Sequence, residues 1–229
     1  MHNSNDDTGM VCILCALKTE AKPFLEALEQ ASVSRCGRLK IHEGILAGKK
    51  TAVARSGAGF SKAATAAGAL IGRHDAACLI MSGTAGGIDK RLKIGDTAVA
   101  EETVCHDMPD RAAYASDSGL LACCRAALDR EPTGRPVYFG RLASGKSFIR
   151  KKNRAPIVER FDPLCVDMET AAVADVCLSG GVPFIAVRSV TDTESEPGFI
   201  VFLKNARLAS ENSYFVVKAL LGHLGQNQP

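Results

Sequence analysis

Short, nearly continuous apolar runs recur along this chain, at Val11–Leu17, Thr51–Ser56, Ala77–Ser82, Asp96–Ala100, Val137–Leu142 and Phe184–Val190. Runs of this length without polar alternation predict strands buried on both faces. Between many of them lie Ala-rich or amphipathic stretches of helical length: Glu20–Glu29, Lys62–Ile71, Ser118–Asp129, Met168–Leu178 and Phe202–Leu224. Strands alternating with helices imply an α/β fold around a mostly parallel sheet. A chain of 229 residues can bury one sizeable core. With no linker, repeat or composition break, the expectation is one domain over residues 11–225, behind a polar, disordered lead-in at residues 1–10. The basic, polar stretch Lys146–Pro163 has the weakest pattern.

Composition narrows the function. Lys plus Arg exceed Asp plus Glu by 28 to 25, and the basic residues are scattered apart from clusters such as Arg150-Lys151-Lys152. No basic stripe carries interleaved aromatics, and Trp is absent, so nucleic acid is not an expected partner. No stretch approaches the ~18 consecutive apolar residues of a membrane span. The start lacks the basic and apolar regions of a secretory signal, which leads to a cytoplasmic expectation. The nine cysteines, an odd number mostly inside apolar runs, suit reduced buried thiols. Cys12 and Cys15 form C-x-x-C, but inside a predicted strand and without a second pair at ligand spacing, so neither metal nor cofactor is expected.

Four segments read as a strand followed by a ligand loop, and ligands of α/β sheets collect at the carboxyl ends of strands. Glu20 follows the first strand and opens a helix, where an acid also complements the helix dipole. Ser82-Gly83-Thr84-Ala85-Gly86-Gly87 closes another strand. Its small residues allow backbone approach to a ligand, and the Thr84 hydroxyl can bind an oxygen, although glycine there equally suits a tight turn. The segment matches neither G-x-G-x-x-G nor the Walker sequence, which disfavours a dinucleotide or ATP site. In Val166-Asp167-Met168-Glu169-Thr170-Ala171-Ala172, a carboxylate accepting two hydrogen bonds suits a vicinal diol such as ribose. In Phe184–Asp192, Arg188 would be buried and needs an acid or anion beside it. Asp192 at the strand end is a candidate desolvated acid, and a structural Arg188–Asp192 bridge is the plain alternative.

Taken together and in this order, these segments resemble the purine nucleoside phosphorylase and nucleosidase superfamily, most closely the bacterial methylthioadenosine/S-adenosylhomocysteine nucleosidases. The motifs that carry the resemblance are Ser82-Gly-Thr-Ala-Gly-Gly-Ile with Leu92-Lys-Ile-Gly-Asp96, Val166-Asp-Met-Glu-Thr-Ala-Ala, and Val187-Arg-Ser-Val-Thr-Asp192. The resemblance implies a three-layer α/β/α sandwich whose central mixed sheet closes towards a barrel. It also implies hydrolysis of the N-glycosidic bond of a 5′-substituted adenosine, releasing adenine as in methionine salvage, by a cytoplasmic homodimer. Glu20 would position and deprotonate the water, and Asp192 would protonate or hydrogen-bond purine N7. Glu169 would hold the ribose hydroxyls with Met168 against the sugar, Phe148 would stack on the base, and the Ile149 backbone would read its edge. In the homodimer, Val104-Cys-His106-Asp107-Met108 would approach the neighbouring site.

Departures from the family pattern fall at two places. Lys146 stands where many relatives carry Asp near the base loop. Ala58, between Gly57 and Gly59, stands where a bulky aliphatic residue often lines the 5′ pocket, which leaves room for a larger 5′ group, as in adenosylhopane-cleaving relatives. Phosphorolysis is the alternative activity. Phosphorylases of the superfamily usually hold phosphate with an arginine just before the Gly-Ser/Thr loop, where this chain reads Leu79-Ile80-Met81-Ser82, although Arg55 or Arg188 could substitute. Two further readings are a non-catalytic nucleoside-binding protein and a thiol protein using Cys12 and Cys15.

Overall fold

The computed structural model describes residues 9–108, 113–149 and 153–225. Most of the expected lead-in and the Arg150-Lys151-Lys152 cluster lie outside the described residues, while Met10 already belongs to the first strand. In chain order the elements are β1 (Met10–Cys15), α1 (Lys18–Ala27), β2 (Glu29–Cys36), β3 (Leu39–Leu46), β4 (Lys49–Arg55), α2 (Phe60–Arg73), β5 (Ala76–Gly87) and β6 (Thr97–Cys105). There follow β7 (Tyr114–Ala115), α3 (Ser118–Arg130), β8 (Val137–Ser144), α4 (Arg154–Phe161), β9 (Cys165–Asp167), α5 (Thr170–Gly180), β10 (Phe184–Asp192) and α6 (Phe199–His223).

The sheet runs β10-β6-β8-β9-β5-β1-β4-β3-β2, and β10 also pairs with β5. That extra pairing closes five strands into a barrel, from which β1 to β4 extend as an arm. Parallel pairs (β1 with β4 and β5, β10 with β5, β8 with β6 and β9) mix with antiparallel ones such as β10 with β6. The sheet is thus mixed and barrel-like, as the family resemblance implied.

Strand periodicity sorts the core into two faces. Cys12, Leu14, Leu79 and Met81 pack with α2 and α5, whereas Val11, Ile13, Cys78 and Ile80 pack with α1, α3 and α6. Three layers result. Because both faces of β1 and β5 are covered, their sequences read as unbroken apolar runs. Cys12 and Cys15 fall on opposite faces of β1, so the C-x-x-C pair cannot close on one metal or one disulfide. Burial pushes the Cys12 thiol up to about 12.

The glycine-rich segment differs from the loop expected after Met81. Strand β5 continues through Ser82–Gly87, because Gly86 pairs with Asp192 of β10 and with Val166 of β9. Gly83, Gly86 and Gly87 are not among the positive-φ glycines, so they serve close approach and not a turn. A Cβ at Gly83 would stand 2.6 Å from Cδ of Glu20 and 2.7 Å from Nη1 of Arg188. Gly57 (φ 82°) and Gly59 (φ 109°) do turn the chain, between β4 and α2.

Candidate active site

Where β1, β5, β9 and β10 end, a cleft of about 440 Å³ opens, within the size range of small-molecule sites. Glu20, Ala58, Thr84, Phe148, Met168, Glu169 and Asp192 all line it. Ile149 lines an adjoining recess together with Phe148, Met168 and Asp192. Segments up to 172 residues apart in sequence, those of Glu20 and Asp192, therefore share one hollow.

Glu20 sits in the first turn of α1, where its side chain turns back on the chain that enters the helix. Its Oε2 accepts hydrogen bonds from the Ala16 and Leu17 N–H groups at 2.9 and 2.8 Å. Its Oε1 accepts from the Thr84 N–H and hydroxyl at 2.9 and 2.7 Å. Two orphan donors at the helix start are thereby satisfied, the capping role open to any acid there. The Thr84 contacts, however, bind the same carboxylate to β5 at the cleft wall. The Thr84 hydroxyl, expected to face a ligand oxygen, here donates to Glu20.

Glu169 is the N-cap residue of α5, and its Oε1 accepts from the Gly59 N–H at 2.7 Å. Burial, followed by the nearby Asp167 charge, pushes its carboxyl up to about 7 from an ordinary 4.5, against opposing pulls from Arg188 and Gly59. A raised carboxyl adds most to stability at low pH, and that contribution is lost as pH rises through about 7. Glu169→Gln, which keeps an acceptor for Gly59, should therefore raise the melting temperature at pH 8 and leave it unchanged at pH 4. The gain is at most about 3 kcal/mol by the size of the shift. Equal melting curves at both pH values would show that the buried charge costs nothing.

Arg188 is buried beside an acid, as its place in the apolar run implies, but it does not take the substrate-binding position also expected of it. Its side chain is fully buried and does not line the cleft. It pairs with Asp167 at 2.6 Å and donates to the Thr170 hydroxyl through Nε and Nη2 at 3.0 and 2.8 Å. Asp167 also accepts from the Thr170 hydroxyl and N–H, so β10, β9 and the start of α5 are locked together behind the cleft. The Arg188–Asp192 bridge, the plain alternative, does not form. The reason is reach: four residues along a strand put the two backbones about 13 Å apart, while Asp167 of β9 comes within 2.6 Å of the Arg188 fork.

Asp192 itself is satisfied by a residue that pattern reading missed, Arg154. Its Nη2 pairs with Asp192 Oδ2 at 3.0 Å and its Nη1 donates to the Gly87 carbonyl at 2.9 Å. Burial raises the Asp192 carboxyl, and the Thr191 hydroxyl and Arg154 oppose that rise. Lys146 stays outside the cleft, its backbone N–H donating to Asp107 at 2.7 Å.

The chain and its fold have known counterparts. The model of the phosphorylase superfamily matches residues 10–222. The chain belongs to the phosphorylase superfamily. The 5′-methylthioadenosine/S-adenosylhomocysteine nucleosidase of Bacillus cereus is 31% identical, with 92% of this chain and 97% of that protein covered. The crystal structure of the nucleosidase of that name from Neisseria meningitidis, in complex with methylthio-immucillin-A, superposes with a TM-score of 0.88 at 31% identity. There, 94% of this chain and 99% of that one are covered. The futalosine hydrolase of Helicobacter pylori gives the same TM-score of 0.88 at 26% identity, covering 95% and 99%. The superfamily fold thus holds over nearly the whole chain, and the acids described above sit on its barrel mouth.

Proposed function

We propose that this superfamily member hydrolyses the N-glycosidic bond of a 5′-substituted adenosine and releases adenine. The observation that carries the reading is that Glu20, Glu169 and Asp192, from three separate elements, line one cleft. N-glycosidic cleavage passes through a ribosyl cation, which nearby carboxylates stabilise. In the reaction, a water oxygen bonds to C1′ while Glu20 accepts its proton. The C1′–N9 electron pair leaves with the purine, and Asp192 gives its proton to N7. Glu169 accepts hydrogen bonds from the ribose hydroxyls, Met168 lies against the sugar, and Phe148 stacks on the base with the Ile149 backbone at its edge.

The same lining argues against a phosphate nucleophile. A phosphate beside Glu20 and Glu169 needs a dedicated cation. Arg188 is committed to Asp167 and Thr170, and Arg55 lines a separate hollow with Arg38, Lys40 and His42. Both acids required for catalysis share the cleft, which favours an enzyme over a nucleoside-binding module. We also assign a homodimer and a cytoplasmic location. The family likeness supports the first, and nine free cysteines suit the reducing compartment of the second. No helix among the described residues is long and apolar enough to cross a membrane.

A large apolar 5′ group is a second reading, supported by one feature of the cleft. Beyond Ala58, the start of α6 presents Phe199, Ile200 and Leu203, which are 63, 82 and 58% exposed. Phe199 and Leu203 line the cleft, so its rim is apolar beyond what a methylthio group would cover. The test is a panel of 5′-substituted adenosines, with and without phosphate, followed for free base and for ribose against ribose-1-phosphate. Phosphate-independent release of adenine and free ribose product is expected. Phosphate-dependent release would replace hydrolysis by phosphorolysis, and turnover of short 5′ groups alone would remove the second reading.

A further inference from the structure

Arg154 is the first residue of α4, five positions after Ile149 of the loop that borders the cleft. Its side chain is 6% exposed, an unusual place for a guanidinium on a helix whose only other buried residue is Ile157. A charge is held there only if its partners compensate the loss of water. The partners are Asp192 Oδ2 and the Gly87 carbonyl, at the adjoining ends of β10 and β5, and Nε has none among the described residues. The fork therefore spans the barrel mouth where the acid sits.

Resting on the reading of Asp192 as the proton donor, we infer that Arg154 is a positioning residue. It fixes the Asp192 carboxylate towards the purine and supports the negative charge that appears on it as the proton passes to N7. The groups facing Asp192 are few. From β10 the Thr191 hydroxyl donates to Oδ1 at 3.0 Å, the backbone of Gly198 ahead of α6 adds a further hydrogen bond, and β5 offers only glycine backbone. From β9, Asp167 lines the same recess and is paired with Arg188, while Lys18 and Glu20 of α1 and Glu169 at the start of α5 line the cleft that Asp192 faces. Arg154 is thus the one cation in direct contact with Asp192 among the described residues. Its Nη1 bond to Gly87 sets the height of the fork, so the carboxylate is held in one orientation before substrate arrives, which is where preorganisation saves most in the transition state. The same side chain ties the start of α4 to the acid.

The experiment compares wild type with Arg154→Gln and Arg154→Lys in steady-state kinetics across pH, with Asp192→Asn as reference. A proton donor is active in its protonated form, so activity falls as pH rises past its titration. Arg154 opposes the upward effect of burial on Asp192, and removing its charge moves that basic limb of kcat/KM to higher pH. Arg154→Gln should also lower kcat about tenfold to a hundredfold, the loss of a hydrogen bond to a charged group, with KM changed far less. Arg154→Lys keeps the charge and should return the limb to its wild-type position, recovering kcat only in part because one ammonium cannot span Gly87 and Asp192 as a fork does. An anchor for the loop and nothing more would raise KM and leave the limb in place, and that result overturns the inference. Should Arg154→Gln fail to fold, Arg154→Met removes the same charge while keeping apolar volume, and the limb is read there. Full activity in Asp192→Asn would instead refute the proton-donor reading itself, whereas a dead Asp192→Asn with an unmoved limb in Arg154→Gln refutes the role of Arg154 alone.

Discussion

Replacing Asp192 by asparagine is expected to abolish nucleoside cleavage while leaving nucleoside affinity largely intact. Asparagine keeps the size of the side chain; its oxygen can still accept from Arg154, and its NH₂ can donate to the Thr191 hydroxyl, which turns to the Ala85 carbonyl, so the hollow keeps its shape. What it lacks is a transferable proton. Positioned general acid catalysis contributes about 10²–10⁴-fold, and a loss of at least about a hundredfold in kcat is the expected result. Single-turnover release of free base, beside calorimetric binding of a non-hydrolysable nucleoside analogue, separates the two effects. Retention of a tenth or more of wild-type turnover would remove Asp192 from the reaction. The pair also carries a stability term: the buried Arg154 charge keeps a neutral partner in the variant, and a drop in melting temperature at unchanged affinity would report that cost.

Glu20→Gln is expected to have a comparably large kinetic effect for a different reason. The carboxylate accepts four hydrogen bonds from donors on two sides, the α1 entry and Thr84. An amide has one oxygen and one NH₂, so one side must meet donor with donor. Leaving a buried donor unsatisfied costs about 1–3 kcal/mol, or roughly 2–12 °C in melting temperature for a chain of this size. The catalytic loss should be larger, about 10²-fold or more, because the amide cannot take the proton of the attacking water. Glu20→Asp separates the two effects, since it keeps the acceptors but withdraws them by one methylene. A stable Glu20→Gln protein with near-normal kcat would assign Glu20 to capping alone.

Strands β1 and β4 of the arm and much of the barrel were legible in the sequence, where a strand is buried on both faces, whereas β3 (Leu39–Leu46), largely half-buried, was not. The runs at Val11–Leu17, Thr51–Ser56 and Phe184–Val190 became β1, β4 and β10 within a residue or two at each end. Strand β2 was not legible. Its Glu-Gln-Ala-Ser-Val-Ser-Arg-Cys is an edge strand, mostly exposed, and exposure removes the apolar signal that marks a strand. The glycines of Ser82–Gly87 were legible as important but ambiguous in cause. A glycine that turns the chain and one that admits a neighbour are written with the same letter, and only the pairing of β5 with β9 and β10 tells them apart. Arg154 was illegible for a related reason. It follows Arg150-Lys151-Lys152-Asn153 in the sequence, the composition of a solvated surface, and nothing local shows that this one guanidinium is buried.

By itself the sequence determined the alternation of strand and helix, the burial of the cysteine-bearing strands, and which acids stand at strand ends and helix starts. Those are consequences of local periodicity and of the backbone groups left open at element ends, so they need no knowledge of the rest of the chain. Tertiary structure alone decided the partners. Glu20 meets Thr84 across 64 residues, Glu169 meets Gly59 across 110, and Arg188 takes Asp167 while Asp192 takes Arg154. Hydrogen bonds and ion pairs act over about 3 Å, and which groups come within that distance is fixed by the order in which the strands pair and by the closure of β10 onto β5.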